Sequence, residues 1–344
     1  MELNSRRVEQ NGSRRRPTIK DVAAVAGVSR GTVSRVLNGG HWVSPEALTA
    51  VQAAIKSTGY AANRHARSLV TGRANSVAFL LTEPQQLLFE DPNFSVLLRG
   101  AADALAKRDM PLLLMVAGTA EERRRVTDYV TAGHVDGVLL ISSHAGNPVV
   151  GSLLREGVPT VACGTSLGHE GKIGYVAADD VAGAREMVRH LRDTGRRHIA
   201  TITGPLDTPG GVQRLQGYRE ELGDAYDEGL VANGDYSRLG GQRAMADLLA
   251  ARPEIDAVFV ASDLMAAGAL TTLAAQGRRV PDDVAVGGFD DSYLAAALSP
   301  ALTTMRQPFE RISSEMVRLL GDVINGEQPA AVILPTTLVR RDST

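Results

Sequence analysis

The sequence of 344 residues is poor in cysteine and in aromatic side chains, and it has no long apolar run. Its one cysteine, Cys163, can form neither an intrachain disulfide nor a cysteine-based zinc site, which is typical of a protein in the reducing cytoplasm. No apolar stretch approaches the ~20 residues of a membrane span. The arginines near the N-terminus are not followed by the apolar region of a signal peptide. These absences argue against secreted and membrane proteins.

The sequence also lacks the short motifs that mark common enzyme classes. No glycine-rich dinucleotide fingerprint follows the first strand-like segment, and there is no P-loop, no Ser-His-Asp order and no cluster of metal ligands. The seven histidines are scattered along the chain. We therefore expect no catalytic residue, no cofactor and no metal ion.

Charge is distributed unevenly along the chain. Residues 1–73 carry 12 Lys and Arg against 4 Asp and Glu, whereas the remaining residues carry 25 against 35. A basic head on an acidic body indicates a polyanionic partner for the head alone. The alternative is a solubilising tail, and residues 1–16, which have no periodicity, are predicted to be a disordered basic tail.

The segment Pro17–Asn38, PTIKDVAAVAGVSRGTVSRVLN, has the pattern of two short helices joined by a tight turn. Thr18 and Asp21 are spaced like the two members of a capping box at the first helix N-terminus. Gly27 can adopt the positive φ that ends this helix, and Ser29 can cap the second. The pattern predicts a helix-turn-helix, and the plainer alternative is a surface αα-hairpin.

The second of these helices has two different faces. Its apolar residues, Val33, Val36 and Leu37, fall on one side by helical spacing. The opposite side carries Arg30, Gly31, Ser34 and Arg35. The DNA major groove admits one helix and offers guanine acceptors to arginine, so this helix is predicted to read bases.

The whole string T-I-x-D-V-A-x-x-A-G-V-S-x-x-T-V-S-R-V-L-N resembles the lactose-repressor (LacI/GalR) family of bacterial transcription regulators. The resemblance implies a DNA-binding domain over 17–61, double-stranded operator DNA as partner and a homodimer. Some members of the family have a C-terminal leucine-heptad helix that makes tetramers. No such heptad occurs near the sequence end LVRRDST, so the resemblance predicts a dimer. The implied DNA-binding residues of the domain are Thr18, Ser29, Arg30, Gly31, Thr32, Ser34, Arg35 and Asn38.

Two segments after the helix-turn-helix complete the predicted DNA-binding part. Ser44 and Pro45 are predicted to begin a third helix that closes a small core, with Trp42 as a lid. By resemblance, residues 62–75 form a hinge helix that enters the minor groove, although Ala62 stands where the family usually has proline. The hinge residues assigned to DNA are Asn63, Ala66 and the wedge Leu69.

From residue 76 to 344, strand-like and helix-like segments alternate, which predicts parallel sheets covered on both faces. The pattern has two similar halves divided near Tyr175, so this effector-binding and dimerisation domain is predicted to be two doubly wound lobes, like periplasmic sugar-binding proteins. Val332–Leu334 and the tail Thr336–Arg341 are predicted to cross back between the lobes. The predicted strands are Val77–Leu81, Leu112–Val116, Val135–Ile141, Val158–Ala162, Ile199–Thr203, Ala257–Val260 and Val284–Val286.

The resemblance also implies a small-molecule carbohydrate effector in the cleft between the lobes. Arg214 and Asp290 match the positions where the family binds sugar hydroxyls. Asp179 and Asp263 could instead be helix N-caps, and Phe94 and Phe89, in a predicted loop over 85–94, could stack on a sugar or cover the cleft. The family often has an aspartate where this chain has Cys163. The remaining effector candidates are Thr82, Ser142, Ser143, Phe289 and Gln307.

Taken together, the sequence predicts a cytoplasmic DNA-binding regulator. We interpret it as a repressor that a small carbohydrate releases from a palindromic operator. The alternative is a sugar-binding protein without a DNA role, since two lobes alone would also fit that class.

Overall fold

The computed structural model describes residues 17–37, 42–60 and 73–344. The chain divides into two compact units, Met1–Ala74 and Asn75–Thr344. Outside the described residues lie the predicted tail 1–16, most of the predicted hinge, and the predicted DNA-binding residues Asn38, Asn63, Ala66 and Leu69.

The N-terminal unit contains the predicted helix-turn-helix. Thr18 opens its first helix, and both the backbone N–H and the hydroxyl of this residue donate to the Asp21 carboxylate at 2.7 Å. Gly27 ends the helix with a φ of 66°, a left-handed conformation that glycine adopts without strain. The three described helices of the unit are α1 (Ile19–Ala26), α2 (Arg30–Leu37) and α3 (Pro45–Thr58).

A small apolar core joins these three helices. Val22, Val33 and Val51, one from each helix, are fully buried against one another. Trp42 is 89% exposed, so the prediction that it forms a lid on this core is wrong. The fully buried residues of the core are aliphatic, and Tyr60 packs against them with partial exposure.

Lobe 1 of the second unit is a six-stranded parallel sheet. Alternate residues of its first strand enter separate apolar clusters, so both faces of the sheet are buried. Its strands are β1 (Val77–Leu81), β2 (Leu112–Val116), β3 (Gly137–Ile141), β4 (Thr160–Cys163), β5 (Gly174–Ala178) and β11 (Ala331–Leu334). Their order across the sheet is β11-β5-β4-β3-β1-β2. Its helices are α4 (Gln85–Glu90), α5 (Pro92–Ala106), α6 (Ala120–Tyr129), α7 (Pro148–Arg155) and α13 (Phe309–Ile324).

Lobe 2 is also a six-stranded sheet with helices, but one of its edge strands is antiparallel. Its strands are β6 (Ile199–Thr203), β7 (Val231–Asn233), β8 (Ala257–Val260), β9 (Ala285–Asp290), β10 (Thr303–Arg306) and β12 (Thr337–Val339). The order is β12-β10-β9-β8-β6-β7, with β12 antiparallel to β10 and the other neighbours parallel. Its helices are α8 (Asp180–Asp193), α9 (Pro209–Leu222), α10 (Arg238–Ala251), α11 (Asp263–Ala275) and α12 (Tyr293–Ala297).

The chain crosses between the lobes three times, so three segments connect lobe 1 to lobe 2. The crossings lie between β5 and α8, between β10 and α13, and between β11 and β12. The first is close to the division predicted near Tyr175. The third confirms the predicted return of the tail, since Val332 pairs with Val176 in lobe 1 and Leu338 pairs with Met305 in lobe 2.

The sequence missed several elements and misread one. Strands β5, β7, β10 and β12 were not among its predictions. Residues 85–94 were predicted to be a loop, but they form α4 and the first turn of α5, with Asp91 capping the latter. Among the described residues, no helix is long and apolar enough to cross a membrane.

Candidate functional site

A cavity of about 150 Å³ lies between the two lobes, where the segments that follow their parallel strands face each other. Open α/β sheets bind ligands in crevices at the carboxyl ends of their strands. Lobe 1 contributes Asp91, Asn93, Phe94, Ser142, Ser143 and Cys163 to the wall. Lobe 2 and the second crossing contribute Asp180, Thr208, Arg214, Tyr236, Asp290 and Gln307.

Arg214, in the middle of α9, brings a buried guanidinium to this wall. Its Nε donates to the Asp180 carboxylate at 2.7 Å, and its Nη1 donates to the carbonyl of Ala261 at 2.5 Å. The guanidinium carbon lies 3.9 Å from the centre of the Phe289 ring. Burial alone lowers the pKa of Arg214, but Asp180 and other neighbours outweigh that effect and raise it. The guanidinium is therefore charged and held rigidly in place.

Asp290 ends β9 and turns its carboxylate into the same cavity. Its φ of 121° is a conformation that side-chain-bearing residues rarely adopt. Oδ1 accepts a hydrogen bond from Gln307 at 2.7 Å and Oδ2 accepts one from Asn93 at 2.9 Å, so the two lobes meet at this side chain. Arg214 Nη1 lies 3.6 Å from Oδ1. Burial raises the pKa of Asp290 to about 6, although Arg214 opposes that shift.

Two further carboxyl groups on the wall were missed by sequence reasoning. Asp91 caps α5 by accepting from the backbone N–H of Asn93 at 2.9 Å, and burial followed by the Asp290 charge raises its pKa to about 7. Asp180 pairs with Arg214, and burial raises its pKa. An Asp-Pro-Asn signal at 91–93, typical of a helix N-terminus, could have identified the first of these groups.

Five of the predicted effector residues lie on the cavity wall: Phe94, Ser142, Arg214, Asp290 and Gln307. Ser143, a lesser candidate, is also there. Cys163 occupies the position where the family often has an aspartate, and burial raises the pKa of its thiol to about 12. The wall at this point is therefore uncharged.

Four other predicted effector residues do not line the cavity. Asp179 caps α8 by accepting from the Ala182 N–H at 3.0 Å. Asp263 accepts from the Thr304 hydroxyl at 2.6 Å and the Ser292 N–H at 2.7 Å, which supports the turn after β9.

The other two lie behind the wall. Thr82 donates its hydroxyl to the carbonyl of Ser142, and Phe289 is fully buried beneath Arg214. Phe289 precedes Asp290 on β9, and because successive strand residues point to opposite faces, it faces the core. Phe89, also considered for the cleft, is 78% exposed and does not contribute to the wall.

The wall combines fixed acceptors and donors with apolar side chains such as Leu97, Phe309 and Ile312. This combination suits a small ligand with several hydroxyl groups, which needs directional hydrogen bonds on its edges and an apolar surface against its faces. Within the described ranges, no group of three or more histidine, cysteine, aspartate or glutamate residues could hold a metal ion.

The N-terminal unit presents a second candidate site, on the outer side of α2. Arg30 and Arg35 are exposed there, while Val33 on the other side is buried in the core. Ser29 caps the helix by accepting from the Thr32 N–H at 3.1 Å. A rigid helix with an anchored back and two exposed arginines has the form that enters a DNA major groove.

Comparison with known proteins finds relatives for both units of the chain. Residues 18–63 match the family described as "Bacterial regulatory proteins, lacI family", and residues 188–344 match "Periplasmic binding protein-like domain". The HTH-type transcriptional regulator CelR of Thermobifida fusca is 47% identical over 336 residues, which cover 96% of this chain and 99% of that protein. The Ribose operon repressor of Escherichia coli (strain K12) is 35% identical over 309 residues, covering 88% and 92%.

Solved structures show the same architecture. The complex titled "transcriptional regulator CelR-cellobiose complex" has a TM-score of 0.77 at 45% identity and covers 96% of this chain and 100% of that one. The lac repressor dimer bound to operator and the anti-inducer ONPF has a TM-score of 0.84 at 26% identity, with coverage of 96% and 99%.

A helix-turn-helix and a two-lobed binding domain in the same chain are typical of ligand-controlled DNA-binding regulators. The similarity to known regulators extends over nearly the whole chain, so the family can be assigned. This chain belongs to the LacI family of bacterial transcriptional regulators. It is a DNA-binding regulator and not an enzyme, and the alternative of a sugar-binding protein without a DNA role is rejected.

Proposed function

We propose that this protein is a transcriptional repressor that cellobiose, or a closely similar β-linked disaccharide, releases from its operator. The observation that carries the proposal is the cavity in which Arg214 and Asp290 lie 3.6 Å apart among further polar groups. The relative whose structure is titled a complex with cellobiose supports this ligand class.

In this proposal Asp290 accepts hydrogen bonds from sugar hydroxyls and Arg214 donates to them. Asn93 and Gln307 now donate to the Asp290 carboxylate, and they would turn to the sugar when its hydroxyls take their place. Phe94 and Phe309 on the wall supply apolar surface for the ring faces. Charge-assisted hydrogen bonds of this kind are stronger than neutral ones and fix the orientation of a ligand.

The DNA-binding function is proposed to need two copies of the chain. Each α2 would read one half-site of a palindromic operator through Arg30 and Arg35, and the segment 62–75, with Leu69 as wedge, would bind the minor groove between them. The lac repressor structure, described as a dimer on operator, supports this arrangement. A regulator of bacterial transcription works where the chromosome is, in the cytoplasm.

Effector and operator would be coupled through the lobes. A sugar that contacts both lobes favours one arrangement of them, and that arrangement must differ in its affinity for operator. Couplings of this kind are typically about 1–3 kcal/mol, which corresponds to roughly 5- to 150-fold in operator affinity.

The test combines ligand binding with DNA release. Operator sites are first selected by the protein from a randomised DNA pool, and cellobiose is then compared with lactose, maltose and ribose. We expect cellobiose at about 100 times its Kd to add about 2.7 kcal/mol to the free energy of unfolding and to lower operator affinity. The proposal fails if cellobiose neither stabilises the protein nor changes operator binding.

A further inference from the structure

His144 joins lobe 1 to lobe 2 directly beside the cavity. It follows Ser143 of the cavity wall, and its Nδ1 lies 2.9 Å from Asp207 Oδ2 in lobe 2. Asp207 in turn precedes Thr208 of the opposite wall. The other ring nitrogen, Nε2, lies 2.8 Å from Glu83 Oε1 in lobe 1. The imidazole therefore forms a bridge from one lobe to the other.

This bridge is complete only when His144 carries its second proton. Both ring nitrogens face a carboxylate oxygen, and only the imidazolium can donate from both. The hydrogen bond to Glu83 is the largest effect on the pKa of His144; burial opposes it, Asp207 adds to it, and the result is about 9. Because this pKa is raised, the bridge is intact at neutral pH and is lost as the pH rises through about 9.

The bridge is anchored in lobe 1 and ends at the solvent edge of lobe 2. The exposed fraction of the side chains rises from 10% for Glu83 to 27% for His144 and 54% for Asp207. A backbone hydrogen bond of 2.7 Å, from the Ala145 N–H to the Asp207 carbonyl, supports it. Separation of the lobes at this edge must break both contacts, so the bridge opposes opening of the cavity.

We propose that His144 is a positioning residue that fastens the two lobes over the cavity and thereby controls how fast an effector enters and leaves. His144 is not part of the cavity wall, so it acts by holding Asp207 rather than by contact with the ligand. The identity of the effector rests on the proposed function, whereas the fastening of the lobes does not depend on it.

Cys163 offers a direct measure of lobe opening. It is the single cysteine of the chain, it lines the cavity, and it is half-buried in this structure. Because it faces the cavity between the lobes, a bulky thiol reagent should react with it faster when the lobes separate or the protein unfolds. The rate at which the full chain reacts with 5,5′-dithiobis(2-nitrobenzoate) therefore reports opening without any ligand.

The first test compares Asp207→Asn with the parent. This change removes the charge but keeps the backbone carbonyl that accepts from Ala145. At about pH 7.5 we expect Cys163 to react roughly tenfold faster in the variant, because an amide oxygen at this position can still accept from Nδ1 but lacks the charge that strengthens the hydrogen bond. The control is Asp224→Asn, an exposed aspartate elsewhere in lobe 2, which should react like the parent. Equal rates for Asp207→Asn and the parent would overturn the proposal.

The second test uses pH. The rate ratio between Asp207→Asn and the parent cancels the pH dependence of the thiol itself. We expect this ratio to fall towards one above about pH 10, because the parent then loses the bridge as well. Asp290 and Asp91, with pKa values of about 6 and about 7, titrate below this range. A ratio that stays constant with pH would contradict a proton-dependent fastening.

Two further measurements separate the alternatives. His144→Ala should raise the rate as Asp207→Asn does, and the double variant should add little. Urea unfolding measures the stability of each variant. If the increase in the Cys163 reaction rate matches the loss of stability, the thiol reacts through global unfolding, and the proposal is overturned. Cellobiose should protect Cys163 in the parent and dissociate roughly tenfold faster from Asp207→Asn. If cellobiose does not protect Cys163 in the parent, cellobiose is not the effector. The bridge is then tested by the ratio of Cys163 reaction rates in Asp207→Asn and the parent, which is measured without ligand.

Discussion

Arg214 and Asp180 share a hydrogen bond of 2.7 Å although their side chains are only 8% and 9% exposed. A buried ion pair of this kind contributes little compared with an apolar pair, but the loss of one partner leaves an uncompensated charge. The guanidinium that we propose binds the effector therefore also neutralises a buried carboxylate of lobe 2.

This pairing predicts that Arg214→Ala destabilises the protein in addition to abolishing the effector response. We expect the free energy of unfolding to fall by about 3–5 kcal/mol, because Asp180 is left buried and unpaired. The double variant Arg214→Ala/Asp180→Asn should recover much of that loss but still not bind the effector. Urea unfolding and calorimetry measure the two effects, and a single variant as stable as the parent would contradict the ion pair.

Asp91 predicts an unusual dependence of stability on pH. Burial and the Asp290 charge raise its pKa to about 7 in the folded protein, above the value in an unfolded chain. Its contribution to stability is thus complete below about pH 4 and is lost as the pH rises through about 7. Asparagine also caps helices but never ionises, so Asp91→Asn should be stabilising at high pH.

The measurement is the difference in free energy of unfolding between Asp91→Asn and the parent. We expect this difference to be close to zero at about pH 4 and to favour the variant by on the order of 2–4 kcal/mol at about pH 8. Asp103→Asn, which changes an exposed aspartate of the same helix, is the control and should show no such trend. A pH-independent difference for Asp91→Asn would show that this carboxyl is not held in its protonated form.

Gly164 lies where lobe 1 closely approaches lobe 2, so an added side chain there should disturb the contact between the lobes. Its φ is 82°, and a Cβ there would lie 3.3 Å from Pro209 Cγ of lobe 2. Gly168 has a similar φ of 79°, but a Cβ there would meet nothing within 4 Å. Gly164→Ala and Gly168→Ala should both lose about 1 kcal/mol of stability through backbone strain.

Only the first of these variants should also affect the effector. Because its methyl group presses against the other lobe, we expect Gly164→Ala to bind cellobiose roughly fivefold more weakly, and Gly168→Ala to bind like the parent. Calorimetry with both proteins checks this. Equal affinities would mean that Gly164 and Pro209 need not approach for binding.

Arg35 predicts the specificity of the DNA-binding unit. We expect Arg35→Ala to lose about 1–3 kcal/mol of operator affinity and to relax the base preference at one position of each half-site. Lys56→Ala, which removes an exposed cation from α3, is the matched control and should keep the preference. Binding to a randomised operator library measures both, and an unchanged sequence profile for Arg35→Ala would reject this role.

The sequence was most informative where a residue's environment is local. The helix-turn-helix, its Gly27 stop and the fully buried strand β1 follow from caps and from apolar periodicity. Strands β7, β10 and β12 are three or four residues long, and pairing within the lobe 2 sheet decides them rather than their own pattern.

The same limit applies to the cavity. Arg214 and Asp290 stand in recognisable motifs, but Asp91 and Asn93 belong to a segment that resembles a loop until α5 packs on lobe 1. The adjacent Asp179 and Asp180 have the same chemistry in the sequence. Their positions differ by one residue along the chain, and for this reason Asp179 caps α8 whereas Asp180 pairs with Arg214.

The threefold crossing between the lobes has a consequence for biosynthesis. Helix α13 supplies Ile312, Met316 and Leu320 to the same apolar cluster as Phe79 of β1, although more than half of the chain separates them. When the ribosome has made β10, lobe 2 lacks its edge strand β12 and the C-terminal residues that bond to β9 and β10, whereas lobe 1 still lacks the helix that covers one face of its sheet. A nascent chain thus carries an uncovered apolar face, suited to a chaperone, until α13 emerges. Lobe 1 leaves the ribosome first, yet its core cannot close until strands β6 to β10 of lobe 2 have been made.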